Sequence, residues 1–260
     1  MSKPSFFDAS KKFLPIIVVI LLVGAGWFYY SGQKNRQTGL PDQTAKQQEE
    51  TAKPQESDSV KENIEVPKET ADSLSPVRAI DDSDHLAGDK NAPVKLIVYS
   101  DFECPFCGKY FDTLEQVKNE FGDKVAIAFR HFPLLNLHVY AMQAAIASEC
   151  AAEQDKFWPM HDRLFADNKE NKINEAQFKE DAKTIGLDQA KFNQCLATEK
   201  YKDKVTAQMI EAKNFNVNGT PTTFVNDRIV VGAYPFEDFT ATDGVKTEGM
   251  KSIISKALNK

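Results

Sequence analysis

The sequence predicts an α/β sandwich with a helical insertion between its second strand and the strand entered at Pro221. Three observations carry this. Val94–Ser100 and Val125–His131 are apolar runs of strand length, and the stretch from Pro105 to about Phe121 between them reads as a helix halted at Gly122, so the three form a βαβ unit. From about His138 to Asn214 the pattern is helical throughout. Thr222–Val225 and Arg228–Val231 then return as strands around the turn pair Asn226-Asp227, and a helix from about Thr247 to Leu258 closes the chain.

The segments before this unit differ from it in composition. Residues 1–12 carry Lys3, Lys11 and Lys12, and residues 13–30 are an uncharged run, roughly 27 Å long as a helix, that ends in Trp27-Phe28-Tyr29-Tyr30. The expectation is a cytoplasmic amino terminus, then a transmembrane anchor or uncleaved signal. The chain would cross the inner (cytoplasmic) membrane once, with the remainder on the extracytoplasmic, periplasmic side. A cleaved signal peptide competes, since Val23-Gly24-Ala25 offers a small-residue site. Either reading exports the four cysteines to where disulfides persist. Residues 31–78 are polar with scattered prolines and read as a disordered linker with a reach on the order of 40 Å. That leaves 79–260 as the folding unit, with its helical insert at about 138–214. The net charge of −6 supplies no basic stripe to displace counterions from phosphates, which excludes nucleic acid as a partner.

Within the insert, an alanine-rich helix is followed by a segment with Phe157 and Trp158. Next come a helix from about Glu175 to Ile185, stopped by Gly186, and one with Asp188 as N-cap.

Cys104-Pro105-Phe106-Cys107 stands at the junction of the first strand and its helix. Pro105 suits the first helical position, so Cys104 falls at the N-cap, where free backbone N–H groups and the helix dipole favour a thiolate. Cys107 lies nearly one turn further in, facing the body of the protein. Cys104 is then the exposed, attacked sulfur and Cys107 the resolving one. The same spacing serves zinc sites, but Cys150 and Cys195 are not a second close pair, and no metal is expected. A purely structural Cys104–Cys107 bond would close a tiny loop and constrain little. A single-thiol enzyme would leave Cys107 unexplained. No glycine-rich phosphate loop stands out and no cofactor is expected. His131, after the second strand, is a candidate proton carrier or a satisfied structural group.

Four stretches together resemble the DsbA-like branch of the thioredoxin superfamily: Asp101 to Cys107, Phe129-Arg130-His131-Phe132-Pro133-Leu134, Phe157-Trp158 with His161-Asp162, and Gly219-Thr220-Pro221-Thr222-Thr223-Phe224-Val225. The resemblance spans about Pro93 to Lys260. It implies a thioredoxin fold in which Pro221 is a cis-proline facing the active-site disulfide and Thr220 offers backbone bonds to a bound substrate chain. It also implies reoxidation by a quinone-linked membrane oxidase of the DsbB type.

Two departures bear on chemistry. Val98 stands where thioredoxin has a buried acid assisting the resolving thiol, and Phe106 stands where the best-known DsbA relatives have histidine. The neighbours Asp101 and Glu103 would oppose a Cys104 thiolate and Lys109 would favour it. Cys150 and Cys195 are either two buried thiols or a staple closing a long loop, worth roughly 4 kcal/mol. The resemblance favours the staple, since some relatives carry a second disulfide in the helical block.

The expected function is a membrane-tethered, extracytoplasmic protein disulfide oxidoreductase, donating its Cys104–Cys107 disulfide to reduced or unfolded exported proteins through a mixed disulfide. Two alternatives stand beside it: an isomerase or reductase of the same fold, and a non-catalytic peptide-binding module at the surface.

Overall fold

The computed structural model describes residues 77–260. The expected cytoplasmic terminus, anchor and nearly all of the linker lie outside these residues. Among the described residues no helix is long and apolar enough to cross a membrane.

The centre is a five-stranded mixed sheet in the order β1-β3-β2-β4-β5, made of His85–Ala87, Val94–Ser100, Val125–His131, Thr222–Val225 and Arg228–Val231. β2 runs parallel to β3 through the crossover helix α1 (Pro105–Phe121), whereas β1 joins β3, and β4 joins β2, antiparallel. Both central strands are buried almost end to end, which is why they read as continuous apolar runs rather than alternating ones. Val94, Leu96 and Val98 of β2 face α1 and the last helix, while Ile97 and Tyr99 face the opposite layer with Ala212 and Phe224. Gly122, at φ 49°, ends α1 in a conformation that disfavours side chains, as expected of a helix stop.

The insert consists of α2 (Ala141–Ala152), α3 (Phe157–Lys169), α4 (Glu175–Thr184), α5 (Gln189–Ala197) and α6 (Lys202–Asn214). α2 is buried along nearly its whole length, so small alanines on every side let its neighbours close in. Asp188 caps α5 by accepting the Lys191 N–H, and Asn174 caps α4 in the same way. A disulfide joins Cys150 of α2 to Cys195 of α5, with their Cα atoms 5.8 Å apart. The bond ties two insert helices covalently.

Three features depart from the sequence reading. The strand β1 was not expected. It is three residues long with no alternation, and long-range contacts hold it: Trp158 Nε1 donates to the Leu86 carbonyl (3.2 Å), and His85 stacks on Phe157. The last helix, α7, spans Met250–Leu258 rather than starting at Thr247, because Thr247 pairs with Phe239 in a hairpin of β6 (Phe239–Thr240) and β7 (Lys246–Thr247). The folded part also takes in Val77 and Arg78, whose composition read as linker. Arg78 donates to Asp84 Oδ1 (3.0 Å) and Glu211 Oε2 (2.7 Å), so its charge is spent inside the fold.

A buried carboxyl pair links α3 to α4. Asp181 Oδ1 accepts from Arg163 Nε (2.9 Å), Arg163 Nη2 (2.7 Å) and Gln177 Nε2 (3.2 Å), but Oδ2 of both Asp167 and Asp181 is buried without a donor. A proton between the two removes the repulsion. Burial first, then Asp181, pushes the Asp167 carboxyl up to about 7. The folded state thus keeps a proton that the unfolded chain releases above about 4, so stability falls as pH rises from about 4 to about 7 and is level beyond. Asp167→Asn should flatten this part of the melting-temperature profile. Reading the difference between parent and variant cancels the opposite trend from the buried histidines His131 and His161, and identical profiles would place the proton elsewhere.

Candidate active site

β2 delivers Ser100 to the carboxyl end of the sheet, and a tight turn then starts α1. Cys104 is its N-cap residue (φ −70°, ψ 122°), Pro105 occupies the first turn, and the Cys104 carbonyl takes the opening helical bond from the Gly108 N–H (3.1 Å). From the other side comes the loop before β4, where the Thr220–Pro221 peptide is cis. The Cys104 thiol donates to the Thr220 carbonyl at 3.6 Å, so Thr220 and the first cysteine meet across the sheet.

Both cysteines are free thiols. The neighbouring Cys107 thiol, outweighing burial and aided by the N–H groups of Cys107 and Phe106, pulls the Cys104 thiol down to about 6. Burial, then the adjoining Cys104, pushes the Cys107 thiol well above its usual value, against an opposing pull from Ser100 and the Asp101 backbone. The two sulfurs are therefore split into a stabilised thiolate and a retained thiol. Cys104 is less open than its assigned role suggested. The residue is 3% exposed, because the Thr220 loop covers it, and the open surface belongs to Phe106 at 58%.

The charged neighbours have other partners. Asp101 is buried and accepts from the Glu103 N–H (2.8 Å), the Leu134 N–H (2.8 Å) and His138 Nδ1 (2.7 Å). Its charge holds the active-site turn to the loop after β3. Glu103 Oε2 accepts from the Tyr140 N–H, and Lys109 Nζ lies 5.6 Å from the Phe106 ring centre. The thiol's field comes instead from Cys107 and from backbone groups.

The loop tied down by Asp101 and Glu103 is apolar and open, with Leu137 at 73% and Val139 at 79% exposure. Beside it runs a groove lined by Phe132, Leu134, Leu137, Met209, Val217 and Lys213, ending two residues before Thr220.

Sequence reasoning missed Asn168. From the last turn of α3 its Nδ2 donates to the carbonyls of Phe102 (2.9 Å) and Cys104 (3.2 Å), and its Oδ1 occupies the space a Cβ at position 108 would need. The available signal was Gly108, a glycine inside a helix without a local reason.

His131 lies in a buried cluster with Glu149, His85 and Lys204. Glu149 Oε1 bonds His131 Nε2 and His85 Nε2 (each 2.9 Å), while Lys204 Nζ donates to Glu149 Oε2 (2.7 Å). Burial pushes Glu149 up, and His131 with His85 more than reverses this. Burial also drives His131 below its usual value. These three groups have metal-ligand spacing, but the Lys204 ammonium already stands among them and bonds two of the three.

The family profile described as Thioredoxin matches residues 81–242. The Na(+)/H(+) antiporter NhaA 3 of Salinispora tropica is 38% identical over 160 residues, covering 62% of this chain and 24% of the antiporter. The Na(+)/H(+) antiporter NhaA of Herminiimonas arsenicoxydans is 30% identical over 169 residues, 65% of this chain and 26% of that one. The chain thus spans about a quarter of the length of the curated relatives it matches. Among solved structures, oxidised BdbD from Bacillus subtilis aligns with a TM-score of 0.60 and 21% identity over 72% of this chain and 99% of its own. The thiol-disulfide exchange protein alpha-DsbA2 from Wolbachia pipientis gives 0.55 and 19%, over 70% and 89%. The catalytic domain of Proteus mirabilis ScsC gives 0.55 and 21%, over 69% and 92%. At these identities the structures share the fold.

Proposed function

Since the chain belongs to the thioredoxin family, we propose that it is an extracytoplasmic thiol-disulfide oxidoreductase that passes the Cys104–Cys107 disulfide to exported proteins. The observation that carries this reading is the split between the two thiols, Cys104 drawn down to about 6 and Cys107 pushed up.

In the oxidised protein a substrate thiolate attacks Cys104 Sγ. The Cys104–Cys107 bond breaks, a mixed disulfide forms, and Cys107 leaves with the electron pair and takes a proton. A second substrate thiolate attacks the substrate sulfur of that mixed disulfide, and Cys104 leaves as the thiolate its surroundings stabilise. The substrate loses two electrons and the enzyme gains them. A quinone-linked membrane oxidase of the DsbB type would reoxidise the pair. The apolar loop at Leu137 and Val139 and the groove beside Thr220 suit an unfolded chain, which exposes apolar side chains.

Three observations support export and a membrane tether: the apolar run at 13–30, the Cys150–Cys195 disulfide, and curated relatives named as antiporters. Those relatives' transport activity is theirs.

The deciding experiment is oxidative refolding of a reduced, multi-cysteine protein by the oxidised full-length chain, with the Cys104–Cys107 potential measured against glutathione. Refolding faster than with oxidised glutathione alone supports the reading. A strongly reducing potential with no acceleration would transfer the role to a reductase.

A further inference from the structure

We propose that Asn168 is a positioning residue for the Cys104 sulfur, its amide clamping the turn whose N–H groups face that atom. A primary amide nitrogen carries two hydrogens, and here they go to the carbonyls of Phe102 (2.9 Å) and Cys104 (3.2 Å), on either side of Glu103. Two peptide planes are fixed by one side chain. The second of these, between Cys104 and Pro105, opens α1 and sets the direction of the Phe106 and Cys107 N–H groups beside the sulfur. Without the amide, the Cys104 carbonyl keeps the Gly108 N–H alone, and the turn is free to tilt away from the sulfur.

Gly108 completes the clamp. It is buried on the inner face of α1, and a Cβ there would collide with Asn168 Oδ1. Glycine in a helix interior is disfavoured by roughly 1 kcal/mol against alanine, so its presence at this contact marks the close approach as the feature it permits. α3 is held along α1 independently, by Phe165 stacked on Phe111 and by Lys169 with Asp112. The amide therefore adds nothing the helix pairing lacks except its two bonds to the active-site turn.

The inference leans on the exchange reading only for the importance of Cys104. Its test needs no substrate, so a chain that oxidised nothing yet behaved as below would sink that reading and leave this one standing. In the reduced full-length chain, the rate of iodoacetamide labelling at Cys104 is followed against pH by the mass of the Cys104 peptide. Asn168→Ala should move the midpoint upward by about half a unit to one unit, so that labelling at pH 5 falls about 3- to 10-fold. Gly108→Ala, which pushes the amide aside, should move it equally. The double variant should move it no further, because both changes break one contact. A merely structural role lowers the melting temperature and leaves the midpoint in place, and that result overturns the proposal, as does a double variant whose shift is the sum of the two. Should either single variant fail to fold, the double variant decides by the same criterion, since the vacated amide leaves room for the methyl group introduced at position 108 and alanine suits the helix.

Discussion

Cys107→Ala is expected to abolish oxidation, since no internal disulfide can form, and to leave the chain trapped as a mixed disulfide wherever the Cys104 thiolate attacks a disulfide of a substrate or partner and expels the other sulfur as thiolate. The reason is the unequal environment of the two sulfurs. Cys104 is drawn down to about 6 by the Cys107 thiol and by the N–H groups at the amino end of α1, so it is largely thiolate at neutral pH. Cys107 is buried, shifted upward, and has no route to a substrate except through Cys104. Removing it takes away both the disulfide that oxidises a substrate and the neighbouring thiol that could open a mixed disulfide formed when Cys104 attacks a disulfide. Non-reducing gels of cells or extracts should show dithiothreitol-sensitive adducts on Cys107→Ala. None should form on Cys104→Ser, whose exchange rate should fall by at least about three orders of magnitude, as when a nucleophile is deleted. Adducts on Cys104→Ser would assign the attacked sulfur to Cys107 and sink the division of labour.

The same titration fixes a pH dependence. The lowered Cys104 value favours the reduced, folded protein fully above the ordinary thiol range near 9, progressively less as pH falls, and not at all below about 6. Oxidising power should therefore rise with pH across that window, measured as the potential relative to a thiol of ordinary acidity.

Arg130→Met should cost about 3–5 kcal/mol of stability while leaving exchange by the folded fraction intact. Arg130 is 0% exposed. Its Nε and Nη2 bond Asp84 Oδ1 and Oδ2 (2.8 and 2.9 Å), and its Nη1 bonds Glu211 Oε1 (3.0 Å) and the Tyr99 hydroxyl (3.1 Å). Nη2 also donates to the Arg78 carbonyl (3.0 Å). One guanidinium thus joins the segment before β1, the strands β2 and β3, and the helix α6. Methionine fills much of the space but leaves Asp84, whose side chain is fully buried, with Arg78 as its one remaining cation among the described residues. Such a loss is a large share of the 5–15 kcal/mol typical of a domain, so the urea midpoint should drop steeply. Arg130→Lys should recover only part of it, since a point charge cannot bond both oxygens of Asp84 in the forked geometry. A decrease below about 1 kcal/mol would mean that the network contributes nothing net.

The fold was legible where local pattern and burial coincide. β2, β3, β4 and β5 lie where the apolar runs placed them, and α1 stops at Gly122. The placement of Cys104 at a helix start followed from Pro105 alone. β1 and the hairpin that delays α7 were not legible, since strands of two or three residues carry no periodicity and exist only through distant partners such as Trp158. Asp101 and Glu103 illustrate the limit at the site. Sequence places them beside Cys104, and proximity suggested that their charges tune it. Their oxygens are instead taken by Leu134, His138 and Tyr140, residues whose approach depends on how the loop after β3 folds back.

By itself, then, the sequence determined which sulfur caps the helix, where the strands run and which proline enters β4, because caps, turns and apolar periodicity are local properties of the chain. Only the tertiary structure decided what surrounds those sulfurs: the Thr220 carbonyl on Cys104, the burial of Cys107, and the Asn168 amide across the turn. Each comes from a residue more than sixty positions away or from packing on several sides, and no spacing rule within the Cys104–Cys107 segment encodes them.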